Sequence, residues 1–320
     1  MTDVCIGIDI GGTNTIFGIV DKSGRILIED SIRTSDHEEA EGFLKSLASK
    51  INHTLSEISE PIELKGIGIG APNGNYYKGT IEFAPNLKWK GIIELVKMMK
   101  QYFPVPVFLT NDANAAAIGE MIYGGAKGMK DFFIVTLGTG VGSGFVINGN
   151  VVYGHDGFAG ELGHTIVKEN GRNCGCGRKG CLEAYASANG LKRTVCELIA
   201  KHSYSGMLKD KSCEDLSAKD IDTAARKGDT MALEAFEITG KILGESLANT
   251  IAITSPEAIF LFGGLANAGK LILNPTKKYM EDNLLNIYKN KVKLLKSSLL
   301  EENAAILGSS ALVWNELESL

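Results

Sequence analysis

The chain repeats one pattern of strands and glycine turns, and this repeat constrains its fold more than any other feature. Residues 3–33 read as three strands, VCIGIDI, TIFGIVD and RILIEDSIR, separated by turn-forming Gly and Asn. The same order returns at 132–154, and each copy has a Gly-Thr turn after its first strand, GGT at 11–13 and GTG at 138–140. Self-similarity over this distance indicates an internal duplication.

Helices and further strands surround the two copies. Between them we expect a helix at 38–58, a strand at 65–71, a helix at 92–103 and a strand at 105–111. After the second copy we expect a helical region at 214–253, a strand at 258–263, a strand within 287–299 and a closing helix at 303–318. One face of the first helix is apolar and carries Phe43, Leu44, Leu47, Ile51 and Leu55. The sequence therefore predicts an α/β protein.

Length and charge favour a globular protein that acts on a small molecule. The 320 residues suffice for about two domains, and 44% of them are hydrophobic. The net charge of -5 gives no broad attraction to nucleic acid or to an anionic membrane. The start lacks the basic and apolar regions of a signal peptide, and the apolar stretch at 258–269 is too short to span a bilayer. We expect a cytoplasmic location, without nucleic-acid or membrane partners.

Three glycine turns are candidates for phosphate binding. Glycine lets backbone N–H groups approach an anion closely, and such turns occur at 11–13, at 137–144 and at 261–269. The pattern GxxxxGK[ST] of a P-loop is absent from the sequence. A single turn of this kind is more often a tight hairpin, whereas three together, two of them at matching points of a duplicated unit, favour phosphate binding.

Two aspartates next to these turns allow two interpretations each. Asp9 ends the first strand, where it could stabilise a turn or hold Mg²⁺ through water. Asp112 follows an apolar strand and precedes an alanine-rich helix, so Asn111 and Asp112 both suit an N-cap. Asp112 could also be the general base that removes a proton from an attacking hydroxyl.

A cysteine-rich segment predicts a metal site. His164, Cys174, Cys176 and Cys181 form a Cys₃His set in which glycines separate the cysteines, and this set suits tetrahedral structural Zn²⁺. The alternative is a chance cluster of loop cysteines. We expect the other three, Cys5, Cys196 and Cys213, to be core residues or surface thiols.

Glu161 and Glu183 flank the cysteine-rich segment. A loop folded around zinc would bring their carboxylates together, where they could accept hydrogen bonds from sugar hydroxyls. The alternative is that both are solvated surface carboxylates, the usual environment of glutamate.

With these residues assembled, the chain resembles the ROK family of sugar kinases and repressors, within the actin-like, Hsp70 and hexokinase ATPase fold. The motifs occur in the family's order over nearly the whole chain: DIGGTN at 9–14, TNDANAAA at 110–117, LGTGVGSG at 137–144, ELGH at 161–164, CGCGRKGCLEAYAS at 174–187 and LFGG at 261–264. The glycine turns are weak signals singly, whereas ELGH followed by CxCGxxGCxE is specific.

The resemblance implies a two-domain fold with a duplicated ribonuclease-H-like core, which closes over ATP and a sugar. It implies that Asp112 is the catalytic base for the sugar 6-hydroxyl, and that His164 uses one ring nitrogen for zinc and the other for the sugar. The residues that would bind the sugar are Asn86, Asn111, Asp112, Glu161, His164 and Glu183. Those that would bind ATP and Mg²⁺ are Asp9, Gly11, Gly12, Thr13, Asn14, Gly138, Thr139, Gly140, Gly263 and Gly264.

We expect a domain boundary near Asn111. Residues 1–111, completed by the C-terminal helix at 303–320, would form the smaller domain. Residues 112–302 would form the larger domain, which carries the zinc loop and a dimerisation surface, because relatives are homodimers or larger homo-oligomers.

The resemblance favours an ATP-dependent hexose kinase that converts glucose to glucose 6-phosphate. An N-acetylmannosamine or N-acetylglucosamine kinase would use the same residues. The sequence assigns no role to the hydrophilic loop at 72–87, in which Tyr76, Tyr77 and Lys78 are compatible with plain surface, although loops of this kind can affect which sugar is accepted. A third alternative is a sugar-sensing protein that transfers no phosphate. Eight residues precede Asp9, so we expect no DNA-binding domain ahead of it, such as the family's repressors carry.

Overall fold

The computed structural model of the protein describes residues 1–201, 206–299 and 301–319, which form two compact units. The first comprises Met1–Met129, Asn150–Gly160 and the described residues from Ser298 onward, and the second comprises Lys130–Gly149 and Glu161–Ser297. The helix that follows Asn111 belongs to the first unit. The domain limits at 111 and 302 stay predictions.

The strands and helices follow one another along the chain in an α/β order. The strands are β1 (Thr2–Ile10), β2 (Asn14–Asp21), β3 (Ile26–Arg33), β4 (Ile62–Ala71), β5 (Gly74–Asn75), β6 (Thr80–Glu82), β7 (Ile92–Ile93), β8 (Val107–Asn111), β9 (Phe132–Leu137), β10 (Val141–Ile147), β11 (Asn150–Val151), β12 (Ala258–Phe262) and β13 (Lys293–Lys296). The α-helices are α1 (Ala40–Ser56), α2 (Leu95–Met99), α3 (Asp112–Ile122), α4 (Glu183–Ala186), α5 (Ala188–Lys201), α6 (Ala218–Arg226), α7 (Thr230–Thr254), α8 (Lys270–Asn283) and α9 (Glu301–Ser319).

The first unit is built on a five-stranded sheet with the order β3-β2-β1-β4-β8. Strands β1 to β3 pair antiparallel, whereas β4 and β8 run parallel to β1. The predicted face of α1 is in the core, where Phe43, Leu44, Leu47 and Ile51 are fully buried. Burial of apolar surface of this kind is the main favourable contribution to folding.

Helix α9 lies directly against β1 and β4 at positions where these strands have glycine. A Cβ atom on Gly7 would lie 2.2 Å from the carbonyl oxygen of Ile306, and one on Gly68 would lie 1.9 Å from that of Ser309. Glycine is therefore required wherever the backbone of α9 approaches the strands this closely.

The second unit repeats the strand order of the first. The second five-stranded sheet has the order β11-β10-β9-β12-β13, with β9 and β10 antiparallel and with β12 and β13 parallel to β9. Helices α5, α7 and α8 pack in the same unit, whose core includes Phe133, Phe236 and Leu247. Both units thus join an antiparallel strand pair to two parallel strands, as expected for a duplicated α/β fold.

Two expected elements are shorter in the structure. The third strand of the second copy, expected at 150–154, is limited to β11, because Gly154 has a positive φ of 75° and the Tyr153 ring stacks on Tyr76 with centroids 4.0 Å apart. The helix expected at 92–103 is limited to α2, since Ile93 instead pairs with Ile81 of β6.

The expectation for two of the cysteines was wrong. Cys196 on α5 and Cys213 before α6 form a disulfide, with a Cα–Cα distance of 5.9 Å. Cys5 is buried, as expected, and its thiol contacts the carbonyl oxygens of Val20 and Ser310.

No helix in the described part of the chain combines the length and the apolar character that crossing a bilayer requires.

Candidate functional site

The carboxyl edge of the first sheet carries Asp9 and Asn111. In the parallel pairs, Asp9 is in register with Gly70, and Ala71 is in register with Asn111. Parallel strands expose their carboxyl ends at one edge of a sheet, and this is where α/β proteins bind ligands. The two residues therefore share the edge at which a ligand is expected.

The start of α3 combines a cap with a candidate base. Asn111 is the N-cap, and both its side-chain oxygen and Oδ1 of Asp112 accept a hydrogen bond from the N–H of Ala113, each at 2.8 Å. The capping interpretation is therefore confirmed for Asn111. Asp112 is the first residue of the helix, with its side chain accessible to solvent.

Both carboxyl groups at this edge bind their protons more tightly than usual. Protein atoms packed around Asp112 raise the pKa of its carboxyl, although part of the side chain remains accessible, and hydrogen bonds from the N–H groups of Ala113 and Asp112 oppose this. Burial, and then the charge of Asp112, raise the pKa of Asp9 to about 7. Desolvation and a like charge both disfavour an ionised carboxylate.

The first glycine turn adjoins the segment that contains Asn86. The N–H of Gly11 donates to the carbonyl oxygen of Asn14 at 3.0 Å, which closes the turn. A Cβ atom on Gly12 would lie 2.4 Å from the carbonyl oxygen of Asn86. The side chains of Thr13, Asn14 and Asn86 are exposed. The sugar candidate Asn86 and the phosphate candidates of this turn are thus neighbours.

In the second unit, the other two glycine turns lie side by side. The turn at Gly138 and Gly140 follows β9, and the turn at Gly263 and Gly264 follows β12. A Cβ atom on Gly263 would lie 2.9 Å from the carbonyl oxygen of Leu137, which precedes Gly138, and the N–H of Leu265 donates to the same oxygen. Neighbouring parallel strands therefore end in two adjacent turns that can present backbone groups to one nucleotide.

The predicted metal ligands form one cluster. The ligand atoms of His164, Cys174, Cys176 and Cys181 all lie within 4.8 Å of one another. The distance from Cys174 Sγ to His164 Nδ1 is 3.7 Å, and that between the sulfurs of Cys176 and Cys181 is also 3.7 Å. His164 ends a short 3₁₀ helix, Leu162–His164, and Cys181 forms an antiparallel bridge with Ile166.

These distances fit a tetrahedral zinc ion. Zn–S bonds of about 2.3 Å and Zn–N bonds of about 2.0–2.1 Å separate neighbouring ligand atoms by about 3.6–3.8 Å. Three thiols and one imidazole are also the donor set that structural Zn²⁺ prefers. The donor set and the two 3.7 Å distances therefore suit a Zn²⁺ ion held by these four residues.

Glu183 connects the cysteine cluster with the second glycine turn. Its Oε2 accepts a hydrogen bond from the N–H of Val141 at 3.0 Å, and its Oε1 lies 3.4 Å from Cys174 Sγ. A Cβ atom on Gly140 would lie 2.4 Å from Oε2. Glu161 directly precedes the 3₁₀ helix of His164 and its side chain is exposed. Of the candidate sugar-binding residues, His164 thus belongs to the metal cluster and Glu183 lies beside it.

One buried anchor of the loop at 72–87 was missed in the sequence. Asn75 is fully buried, its Nδ2 donates to the carbonyl oxygen of Asp156 at 2.7 Å, and its Oδ1 accepts from the N–H groups of Tyr77 and Lys78. The backbone of this loop is therefore anchored at Tyr77 and Lys78, while both side chains are exposed. A buried asparagine within a polar loop gives no local sequence signal.

The fold class and the family of the chain follow from its similarity to known proteins. The duplicated α/β unit, with a glycine turn after the first strand of each sheet, matches the actin-like ATPase class of folds. The model of the ROK family matches residues 5–316, and the chain belongs to this family.

Three of the similar proteins show the range of the family. The chain is 36% identical to a glucokinase of Halalkalibacterium halodurans over 86% of this chain and 84% of that protein. It is 32% identical to the xylose repressor of Bacillus subtilis over 96% of this chain and 76% of the repressor. The crystal structure of a ROK family glucokinase from Streptomyces griseus in complex with glucose and AMPPNP superposes with a TM-score of 0.81 at 33% identity, covering 98% of this chain and 99% of that chain.

Proposed function

We propose that this protein is a hexose kinase that transfers the γ-phosphoryl group of ATP to the 6-hydroxyl of glucose. The observation that carries the proposal is the accessible Asp112 carboxyl at the carboxyl edge of the first sheet, on the same edge as Asp9 and the first glycine turn. A carboxylate beside a candidate phosphate site is the arrangement that phosphoryl transfer to an alcohol requires.

In the proposed reaction, Asp112 accepts the proton of the 6-hydroxyl. The hydroxyl oxygen attacks the γ-phosphorus as the bond to the β–γ bridging oxygen breaks, so glucose 6-phosphate and ADP are formed. The raised pKa of Asp112 suits this role, because a stronger base removes a hydroxyl proton more readily.

The remaining sugar contacts are assigned to five further side chains. We propose that Asn86, Asn111, Glu161, His164 and Glu183 bind sugar hydroxyls. His164 Nδ1 lies in the cysteine cluster, so its Nε2 is the ring nitrogen assigned to the sugar. A metal at Nδ1 would fix the orientation of the ring and the proton position on Nε2.

The phosphates are assigned to the three glycine turns. Backbone N–H groups at Gly12 and Gly140 and the hydroxyls of Thr13 and Thr139 would face the phosphate oxygens. The N–H groups of Gly11 and Gly138 close their own turns, so these two residues would shape the nucleotide site, which Asn14, Gly263 and Gly264 complete. Mg²⁺, when bound, would neutralise phosphate charge, and Asp9 would hold it through water.

Zinc is assigned a structural role. His164, Cys174, Cys176 and Cys181 would hold one Zn²⁺ ion, which occupies all four ligands and leaves no open position. The ion would organise His164 and the neighbouring Glu183 rather than polarise the substrate.

The test is ADP release from MgATP by the purified zinc-loaded protein with glucose, mannose, fructose, N-acetylglucosamine and N-acetylmannosamine in parallel. A preference for glucose is the expected result. A preference for an acetamido sugar would replace the substrate and keep the mechanism. If ATP and sugar bind but no sugar is phosphorylated, the proposed kinase activity is contradicted and a sugar-sensing role is favoured. The similarity to the xylose repressor of Bacillus subtilis is the observation that supports this alternative.

We further propose that the protein forms a homodimer or a larger homo-oligomer, as the family resemblance implies. Light scattering at micromolar concentration measures the mass directly, and a monomer would contradict this proposal.

A further inference from the structure

Arg172 is the most extensively bonded side chain of the cysteine-rich loop. Its side chain is 8% exposed although the loop around it is largely exposed. Its Nε and Nη2 donate to the two carboxylate oxygens of Glu197 at 2.9 Å each, and Nη2 also donates to Thr194 Oγ1 at 2.9 Å. Its Nη1 donates to the carbonyl oxygens of Ala184 and Gly190, both at 3.0 Å.

The same residue ties the loop to α4 through its backbone and ring contacts. The N–H of Arg172 donates to the hydroxyl of Tyr185 at 2.8 Å, and its carbonyl oxygen accepts from the N–H of Gly180 at 2.8 Å. The guanidinium also lies over the Tyr185 ring, 4.6 Å from its centroid. Arg172 thus joins three segments: the cysteine-rich loop, α4 and α5.

Helices α4 and α5 are in turn bonded to the second glycine turn. Glu183, the first residue of α4, accepts from the N–H of Val141. At the start of α5, the N–H of Ala188 donates to the carbonyl oxygen of Gly138 at 2.9 Å, and Asn189 Nδ2 donates to that of Thr139 at 3.2 Å. Any displacement of the junction between α4 and α5 therefore moves both a sugar candidate and a phosphate candidate.

We propose that Arg172 is a positioning residue that holds Glu183 and the glycine turn at 138–141 in one fixed geometry. The catalytic consequence rests on the proposed function, whereas the structural coupling does not. A guanidinium is suited to this task, because its planar fork bonds a carboxylate bidentately, stacks on an aromatic ring and still has donors for two carbonyl groups. A lysine ammonium has three donors on one atom and cannot reach all these acceptors together.

The coupling is tested without any ligand by amide hydrogen exchange. In Arg172→Met labelled with ¹⁵N-valine and ¹⁵N-glycine, we expect exchange of the Val141 amide to accelerate at least tenfold, because its acceptor Glu183 loses its support. The Gly142 amide donates to Thr136 Oγ1 within the sheet and is the internal control, expected to change less than twofold. Arg193→Met is the matched control, since Arg193 is exposed on α5 and its Nη1 donates to the carbonyl oxygen of Asn173.

The catalytic consequence is read from the steady-state constants. For Arg172→Met we expect the hexose KM to rise at least tenfold, with kcat within threefold of the wild type and with the zinc content unchanged. For Arg172→Lys we expect a hexose KM between those of Arg172→Met and the wild type. A residue that only stabilised the fold would lower the melting temperature and leave hexose KM unchanged.

The outcomes separate the two proposals. If the wild type transfers no phosphate, the proposed function fails and the exchange ratio of Val141 to Gly142 still decides the role of Arg172. If Arg172→Met does not fold, the same exchange experiment is made on Glu197→Gln, which removes the negative charge of the Arg172–Glu197 pair. For that variant we expect the exchange ratio of Val141 to Gly142 to rise about threefold. An unchanged ratio in folded Arg172→Met, or in Glu197→Gln when it is the variant that folds, overturns the inference.

Discussion

Burial and the charge of Asp112 together raise the pKa of Asp9 to about 7, so the two carboxyl groups at the edge of the first sheet are electrostatically coupled. In the protein without nucleotide and Mg²⁺, this coupling lowers the free energy of unfolding. The unfolded chain ionises Asp9 near 3.8, whereas the folded protein resists its ionisation up to about pH 7. Stability is therefore lost as the pH rises from about 4 to about 7.

Asp9→Asn removes this destabilisation and is expected to stabilise the ligand-free protein at alkaline pH. We expect its melting temperature to exceed that of the wild type by a few degrees at pH 8, and the difference to become small near pH 4, where Asp9 is protonated in the folded protein and partly protonated in the unfolded chain. Thermal unfolding at pH 4, 6 and 8 in the absence of Mg²⁺ measures this. A wild type that is the more stable protein at pH 8 would contradict the raised pKa.

Asp112→Asn is expected to abolish turnover and to preserve binding. The amide oxygen can still accept from the N–H of Ala113, so α3 keeps its first turn, but the amide cannot take up a proton. We expect kcat to fall by about 100-fold or more, with the hexose Kd within about threefold of the wild type. Asp36→Asn, at an exposed aspartate of the same unit, is the control and should have full activity.

The same assignment predicts the pH dependence of the wild type. Because the base must be ionised and its pKa is raised, kcat/KM should fall as the pH is lowered through that pKa, which lies above the ordinary 3.8. Full activity of Asp112→Asn at neutral pH would exclude Asp112 as the base.

Local patterns predicted those parts of the fold that local interactions determine. The two strand repeats, the buried face of α1 and the strand β12 all follow from short-range patterns of apolar and turn residues. Helix α8 was missed, because Pro275 lies inside it and proline ordinarily breaks a helix. Here a Cβ atom on Gly240 of α7 would lie 2.6 Å from the Pro275 ring, so close packing against α7 accommodates the proline.

The candidate site was predicted where its residues are close in sequence. His164 and the three clustered cysteines lie within 18 positions, and the structure brings their ligand atoms together. Arg172 was missed because its acceptors, such as Glu197, lie on another element. The disulfide was missed for a similar reason, since Cys196 and Cys213 are 17 positions apart with no characteristic spacing.

Removal of the metal is expected to weaken sugar binding. Cys176→Ala leaves three ligands, so we expect the single zinc ion to be lost and the hexose Kd to rise at least tenfold, because His164 and Glu183 both adjoin the cluster. Zinc is measured by mass spectrometry of the metal, and the hexose Kd by calorimetry. Cys213→Ser, outside the cluster, is the control and should bind one zinc ion. Normal sugar affinity in zinc-free Cys176→Ala would refute the coupling between the zinc ion and sugar binding.

The bond between Cys196 and Cys213 is expected to stabilise the second unit only under oxidising conditions. It closes a loop between residues 17 positions apart, and the chain entropy removed from the unfolded state corresponds to about 3 kcal/mol. In oxidising buffer, Cys213→Ser should therefore melt several degrees below the wild type.

A reducing buffer supplies the control for this comparison. With dithiothreitol present, the wild type should melt at the temperature of Cys213→Ser, and Cys196→Ser should behave like Cys213→Ser in both buffers. Quantification of free thiols by alkylation and mass spectrometry shows which form is present in each sample. A wild type whose melting temperature is the same with the pair oxidised and reduced would show that the bond does not stabilise the fold.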